Sequence, residues 1–103
     1  MEKTELIEAI KEKVLQLNAM LHSDEDYITT NSSDWAWTVT IGSDFDDDDY
    51  EPRTLEEIFI EDGELWCVDD SGQSISAENL AYLELDDISL MLEQTIEEID
   101  DEN

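Results

Sequence analysis

The chain reads as an α+β fold: a small antiparallel sheet of three to five strands, with an N-terminal and a C-terminal helix packed on one face. Three observations predict it. Apolar residues recur at helical spacing near both ends, the middle holds short alternating stretches, and Asp62-Gly63 sits between two of these. At 103 residues, with 40% hydrophobic residues and three Trp, three Tyr and two Phe, the chain can bury a modest core and is expected to form one domain.

Residues 4–22 predict the first helix. Ile7, Ile10, Val14, Leu17 and Leu21 follow alternating spacings of three and four, with Leu6 beside them, which draws one narrow apolar stripe. Lys11 and Lys13 flank the stripe, where long stems lie over apolar surface, and Glu5, Glu8 and Glu12 fall away from it. Ser23–Asp26 then reads as a polar break, Tyr27–Thr30 as a short strand, Asn31–Asp34 as a turn and Trp35–Ile41 as a second strand. In that strand Trp35, Trp37, Val39 and Ile41 alternate with Ala36, Thr38 and Thr40, so one face should be buried and the other polar. Gly42–Arg53 is expected to be a loop, because the Asp46–Asp49 run repels itself and Pro52 lacks a backbone donor.

Asp62-Gly63 joins Glu57–Glu61 to Glu64–Val68 as a two-residue hairpin, since a type I′ turn needs positive φ at both central positions. The register follows. Ile60 should oppose Leu65 and Ile58 oppose Cys67 on one face, while Phe59 opposes Trp66 on the other with Val68 beyond it. Asp70–Gln73 makes the next turn, leading to a short Ser74–Ser76 strand, and Ser76 is placed to cap a brief helical segment ending near Leu80. Asp86 is the expected N-cap of the last helix, 86–99, where Ile88, Met91, Leu92, Thr95, Ile96 and Ile99 share one arc. Residues 100–103 should fray, because acids near a helix C-terminus oppose its dipole. If the two helices pack together, Lys11 and Lys13 are expected to approach Glu93 or Glu97.

Charge is the outlying property. Thirty-one Asp and Glu face four Lys and Arg, for a net charge of −27, and no base follows Arg53. Such a field repels nucleic acid and anionic membrane surfaces and attracts basic ones over roughly 8 Å at physiological salt. Direct nucleic-acid binding is not expected, since it draws most of its strength from Lys and Arg neutralising phosphate. No stretch approaches the ~20 apolar residues of a membrane span, and the N-terminus lacks the basic-then-apolar order of a secretory signal, so a cytoplasmic location is expected. Cys67 is the single cysteine, which rules out an internal disulfide.

Candidate chemistry is sparse, and neither an enzyme nor a cofactor is expected. Nucleophilic catalysis would have to use His22 and Cys67, yet His22 sits in a last helical turn, where its charge suits the dipole, and Cys67 reads as a core residue. Carboxylate pairs for glycoside chemistry arise everywhere among so many acids and specify nothing. Asp44, Asp46 and Asp48 have the first spacings of a calcium loop, but the sixth position is Asp49 rather than Gly and the twelfth is Leu55 rather than Glu. Gly42, Gly63 and Gly72 all fall at turns, and no phosphate-binding loop is present.

The inverted sign of the charge is the functional clue. Duplex DNA carries one charge per about 1.7 Å of axis, so 27 net charges match the phosphates of roughly 13 base pairs. In size and charge the chain resembles the DNA-mimic inhibitors that phages and mobile elements use against restriction or CRISPR enzymes and nucleoid proteins. The likeness is one of composition, and no motif carries it. The expected partner is a basic protein, with a DNA-binding protein as one form, and the chain itself a monomer or weak homodimer. Candidate partner-binding residues are Asp46, Asp47, Asp48 and Asp49 in the loop, Leu90, Glu93, Glu97 and Glu98 on the last helix, and Phe59 and Trp66 on the hairpin. Leu90 projects opposite the apolar arc, like an anchor inside a charged rim, although lone exposed leucines are ordinary. Phe59, Trp66 and Val68 are expected to be covered by a helix, the alternative being a face offered to a partner. The alternative function is a small structural or adaptor domain that binds through an apolar face, including a coiled-coil seam on the first helix, with charge serving solubility. Adaptation to a salty habitat is the third reading.

Overall fold

The first apolar stripe becomes helix α1 (Lys3–Leu21), which buries Leu6, Ile7, Ile10, Val14 and Leu17. A computed structural model of the chain describes residues 2–21, 29–41 and 53–102. His22, Tyr27, Asp44 and the Asp46–Asp49 run therefore lie outside the described residues. Strands β1 (Thr29–Asn31), β2 (Thr40–Ile41), β3 (Arg53–Glu61), β4 (Glu64–Asp69) and β5 (Ser74–Ser76) form an antiparallel sheet in the order β1-β3-β4-β5, with β2 also on β3. Helix α2 (Tyr82–Glu102) closes the chain. The apolar stripes of both helices join one face of the sheet in a single core that includes Ile10, Ile58, Cys67, Leu85 and Leu92. Each such side chain, fully buried, contributes roughly 1.5–3 kcal/mol.

The hairpin has the expected register: Ile60 faces Leu65, Ile58 faces Cys67 and Phe59 faces Trp66. Asp62 and Gly63 take φ of 53° and 79°, as a type I′ turn demands. The strand, however, starts at Arg53 rather than Glu57, inside the stretch expected to be loop. A bulge between Leu55 and Glu57 explains the discrepancy. Strict alternation would put Leu55 on the face opposite Ile58, and the extra residue turns both inward, where each is fully buried.

The segment expected as a strand over Trp35–Ile41 is mostly not one. Only Thr40–Ile41 joins the ladder, paired with Thr54 and Arg53, preceded by a bond from the Leu55 amide to the Val39 carbonyl at 2.8 Å. Trp35, Val39 and Ile41 are buried as their spacing implies, but Trp37 is 40% exposed. The cause is a competing set of bonds. The Trp35 indole donates to Thr30 Oγ1 at 2.9 Å, and the Ala36 amide donates to Thr95 Oγ1 of α2 at 2.8 Å. Residues 32–38 thus leave the sheet edge through a 3-10 turn (Ser32–Asp34) and reach across to the helix.

At the other edge, Asp69 Oδ1 accepts from the Ser71 amide, the Ser71 hydroxyl and the Gln73 amide, which shapes the turn into β5. Ser76 caps a 3-10 turn (Ala77–Asn79) as anticipated, its Oγ accepting from the Glu78 amide. Helix α2 begins at Tyr82, so Asp86 is not its N-cap. Glu84 fills the capping role instead, accepting from the Ala81 amide at 3.3 Å, and Leu85 extends the buried arc back by one turn. The helix also continues through Glu102 rather than fraying from Asp100. Ile96 and Ile99 pack against the core and hold the last turns, which outweighs the unfavourable interaction of each acid with the helix dipole, about 0.3–1 kcal/mol.

Candidate interaction surfaces

Among the carboxylates of residues 2–21, 29–41 and 53–101 only Asp69 and Glu84 are buried; the others lie wholly or partly at the surface. Amphipathic patterning explains the distribution, since α2 turns its apolar arc inward and leaves Asp86, Asp87, Glu93, Glu97, Glu98, Asp100 and Asp101 wholly or partly exposed. Among the described residues compensation is slight. Lys11 pairs with Glu8 at 3.2 Å and Arg53 with Asp70 at 3.9 Å, surface pairs worth at most about 1 kcal/mol each. Lys3 donates to the Glu78 backbone carbonyl at 2.6 Å and leaves the carboxylate of Glu78 uncompensated by that bond.

Glu93 and Glu97, one helical turn apart, line a groove of about 360 Å³ between the helices together with Lys13. Of the two lysines expected there, Lys13 arrives, whereas Lys11 turns back to Glu8 on its own helix. Glu98 is exposed on α2 but does not line this groove. Leu90 is 48% exposed, on the outer side of α2 as its position implied.

The hairpin aromatics form a second surface. Phe59 and Trp66 stack across the strands with ring centroids 6.4 Å apart and planes within 9°. The expectation that a helix covers them fails. Both helices sit on the Ile58–Cys67 face, and the pleat sends Phe59, Trp66 and Val68 to the opposite side, where they are half-buried. The pair stiffens the hairpin and makes this sheet face apolar at its centre.

A third surface went unseen in the sequence. Trp37 and Val39 of the diverted edge segment face Leu83, Glu84 and Asp87 of α2 across an open cleft of about 480 Å³. Leu83 is 72% exposed, Tyr82 41%. The available signal was the seven-residue spacing of Leu83 and Leu90, two helical turns on one face. Starting the helix at Asp86 left Leu83 out of it.

Cys67 is fully buried in the core. Burial, and secondarily the negative charge of Glu84, push its thiol up to about 12, so it stays protonated and non-nucleophilic at neutral pH. Among the described residues no group of three or more His, Cys, Asp or Glu is arranged to hold a metal ion. No described helix is long and apolar enough to cross a membrane. No family model matches the chain, and neither a curated protein nor a solved structure matches it.

Proposed function

We propose that this chain is a non-enzymatic binding protein that presents carboxylates to a basic protein surface, acting as a DNA mimic toward a DNA-binding protein. One observation carries the reading. The molecule measures 45 × 27 × 25 Å, so 27 net charges along its long axis come to one per about 1.7 Å, the linear charge density of duplex DNA. The same equality can be put as a length: the roughly 13 base pairs whose phosphates carry this charge span about 44 Å. A groove built to neutralise phosphates meets a body of similar length and charge.

The test is affinity capture from lysate across a salt series, with duplex DNA as competitor. Mimicry predicts a basic DNA-binding protein that is released steeply as salt rises and displaced by duplex. A captured protein that resists both salt and duplex would overturn it.

The Phe59–Trp66 stack favours a second reading, an adaptor that binds through the sheet face opposite the helices with charge serving solubility. Under that reading the partner holds at high salt, and Trp66→Ala releases it while carboxylate substitutions do not. A coiled-coil seam on α1 is not a free surface for this purpose, because Ile7, Ile10, Val14 and Leu17 are already buried in the chain's own core.

A further inference from the structure

Three kinds of group converge on the cleft between the edge segment and α2: an indole, aliphatic side chains and carboxylates. Trp37 is two-fifths exposed, Leu83 supplies most of the apolar wall with buried Val39 behind it, and Asp87 stands exposed one turn along α2 from Leu83, with Glu84 between them. The volume, about 480 Å³, lies in the range of small-molecule sites and leaves ample room for one long side chain. Its chemistry restricts the occupant. An anion is repelled by the field of the whole molecule, and a wholly apolar side chain would strip water from Asp87 without giving it a partner.

A cation with an apolar stem satisfies both walls, and arginine fits better than lysine. Its guanidinium is planar, stacks on indole, is weakly hydrated and meets a carboxylate in a two-bond fork, whereas an ammonium is a compact, strongly hydrated point charge. We propose that this cleft is an arginine-anchoring pocket, in which the stem lies against Leu83, the guanidinium covers Trp37 and Asp87 pairs with it. The pocket rests on the basic-partner reading and sharpens it: the spread of carboxylates attracts, and the cleft selects arginine over lysine. Arginine is also the side chain on which DNA-reading proteins rely most for specific contacts to guanine, so a pocket of this kind would occupy the residue a mimic needs to block.

Titrating the intact protein with hexa-arginine and hexalysine at low salt, by calorimetry and by NMR of the Trp37 indole, tests it. The expected result is tighter binding of hexa-arginine by about fivefold, the scale of one cation–π contact, with the Trp37 indole resonance shifting. Trp37→Ala and Asp87→Asn should shrink the preference, while Glu97→Gln, away from the cleft, should weaken both peptides alike. Asp87→Asn changes an exposed helical side chain and keeps the test valid should Trp37→Ala fail to fold. Equal binding of the two peptides, or a preference that survives Asp87→Asn and Trp37→Ala, overturns the pocket and leaves the acidic-surface reading standing. Failure of both peptides to bind overturns both.

Discussion

The β3–β4 hairpin and the split edge formed by β1 and β2 both lie on β3, yet they are held by different means. The hairpin is an unbroken ladder from Ile58–Cys67 to Glu61–Glu64, closed by a two-residue turn and braced by the Phe59–Trp66 stack. The edge is two short pieces, Thr29–Asn31 and Thr40–Ile41, with a detour between them that is tied to Thr30 and to Thr95 of α2. Local pairing sets the first. A bond spanning 59 positions sets the second, and the same detour carries Trp37 to the cleft.

The largest expected effect tests the hairpin's attachment to the core. Ile58 is fully buried, and Ile58→Ala should lower unfolding free energy by about 2–5 kcal/mol in chemical denaturation, since it leaves a cavity beneath both helices. Next comes the tether of the edge. Thr95→Val keeps the shape but removes the acceptor for the Ala36 amide, and should cost about 1–3 kcal/mol, with faster amide exchange at Ala36 as the specific sign. If exchange at Ala36 is unchanged, the detour is held by packing alone and the comparison fails.

Gly63→Ala should cost about 1 kcal/mol by thermal unfolding, because φ of 79° is strained for any residue with a Cβ although space is open there. The smallest effect is a matter of pH. Burial alone would raise the Asp69 carboxyl, but the Ser71 hydroxyl, the Gln73 and Ser71 amides and nearby Arg53 outweigh it and hold the group below the usual carboxylate range. Its folded value thus lies under its unfolded one, so its contribution is complete above the unfolded value, about 3.9, and is lost as pH falls through the folded one. The stability gap between wild type and Asp69→Asn should therefore be open at neutral pH and narrow on acidification below about pH 4. A gap independent of pH would remove the carboxylate's charge from the forces that shape the β4–β5 turn.

Much of the candidate surface was legible in the chain. The outward positions of Leu90, Glu93, Glu97 and Glu98 follow from the period of α2, and the Phe59–Trp66 pairing follows from Asp62-Gly63. That the helices pack on the face opposite this pair was not legible, because alternation says which residues share a face but not which face the helices choose. Leu83 was missed because Asp86 offered a sound local cap, and the actual cap is made by Glu84, a residue already inside the helix.

The sequence by itself determined both apolar stripes, the turn and register of the hairpin, and a net charge of −27. These depend on periodicity, on φ at two residues and on a count of ionisable groups, all short-range or additive properties. Tertiary structure alone decided the bulge at Leu55, the early start of α2, the detour of residues 32–38 and the cleft it builds with Leu83 and Asp87. The bulge, the detour and the cleft depend on contacts between residues apart in the chain, and no local pattern encodes where such partners meet; the start of α2 is a choice between two local caps, Ala81–Glu84 and Asp86, and burial of Leu85 in the core goes with the earlier one.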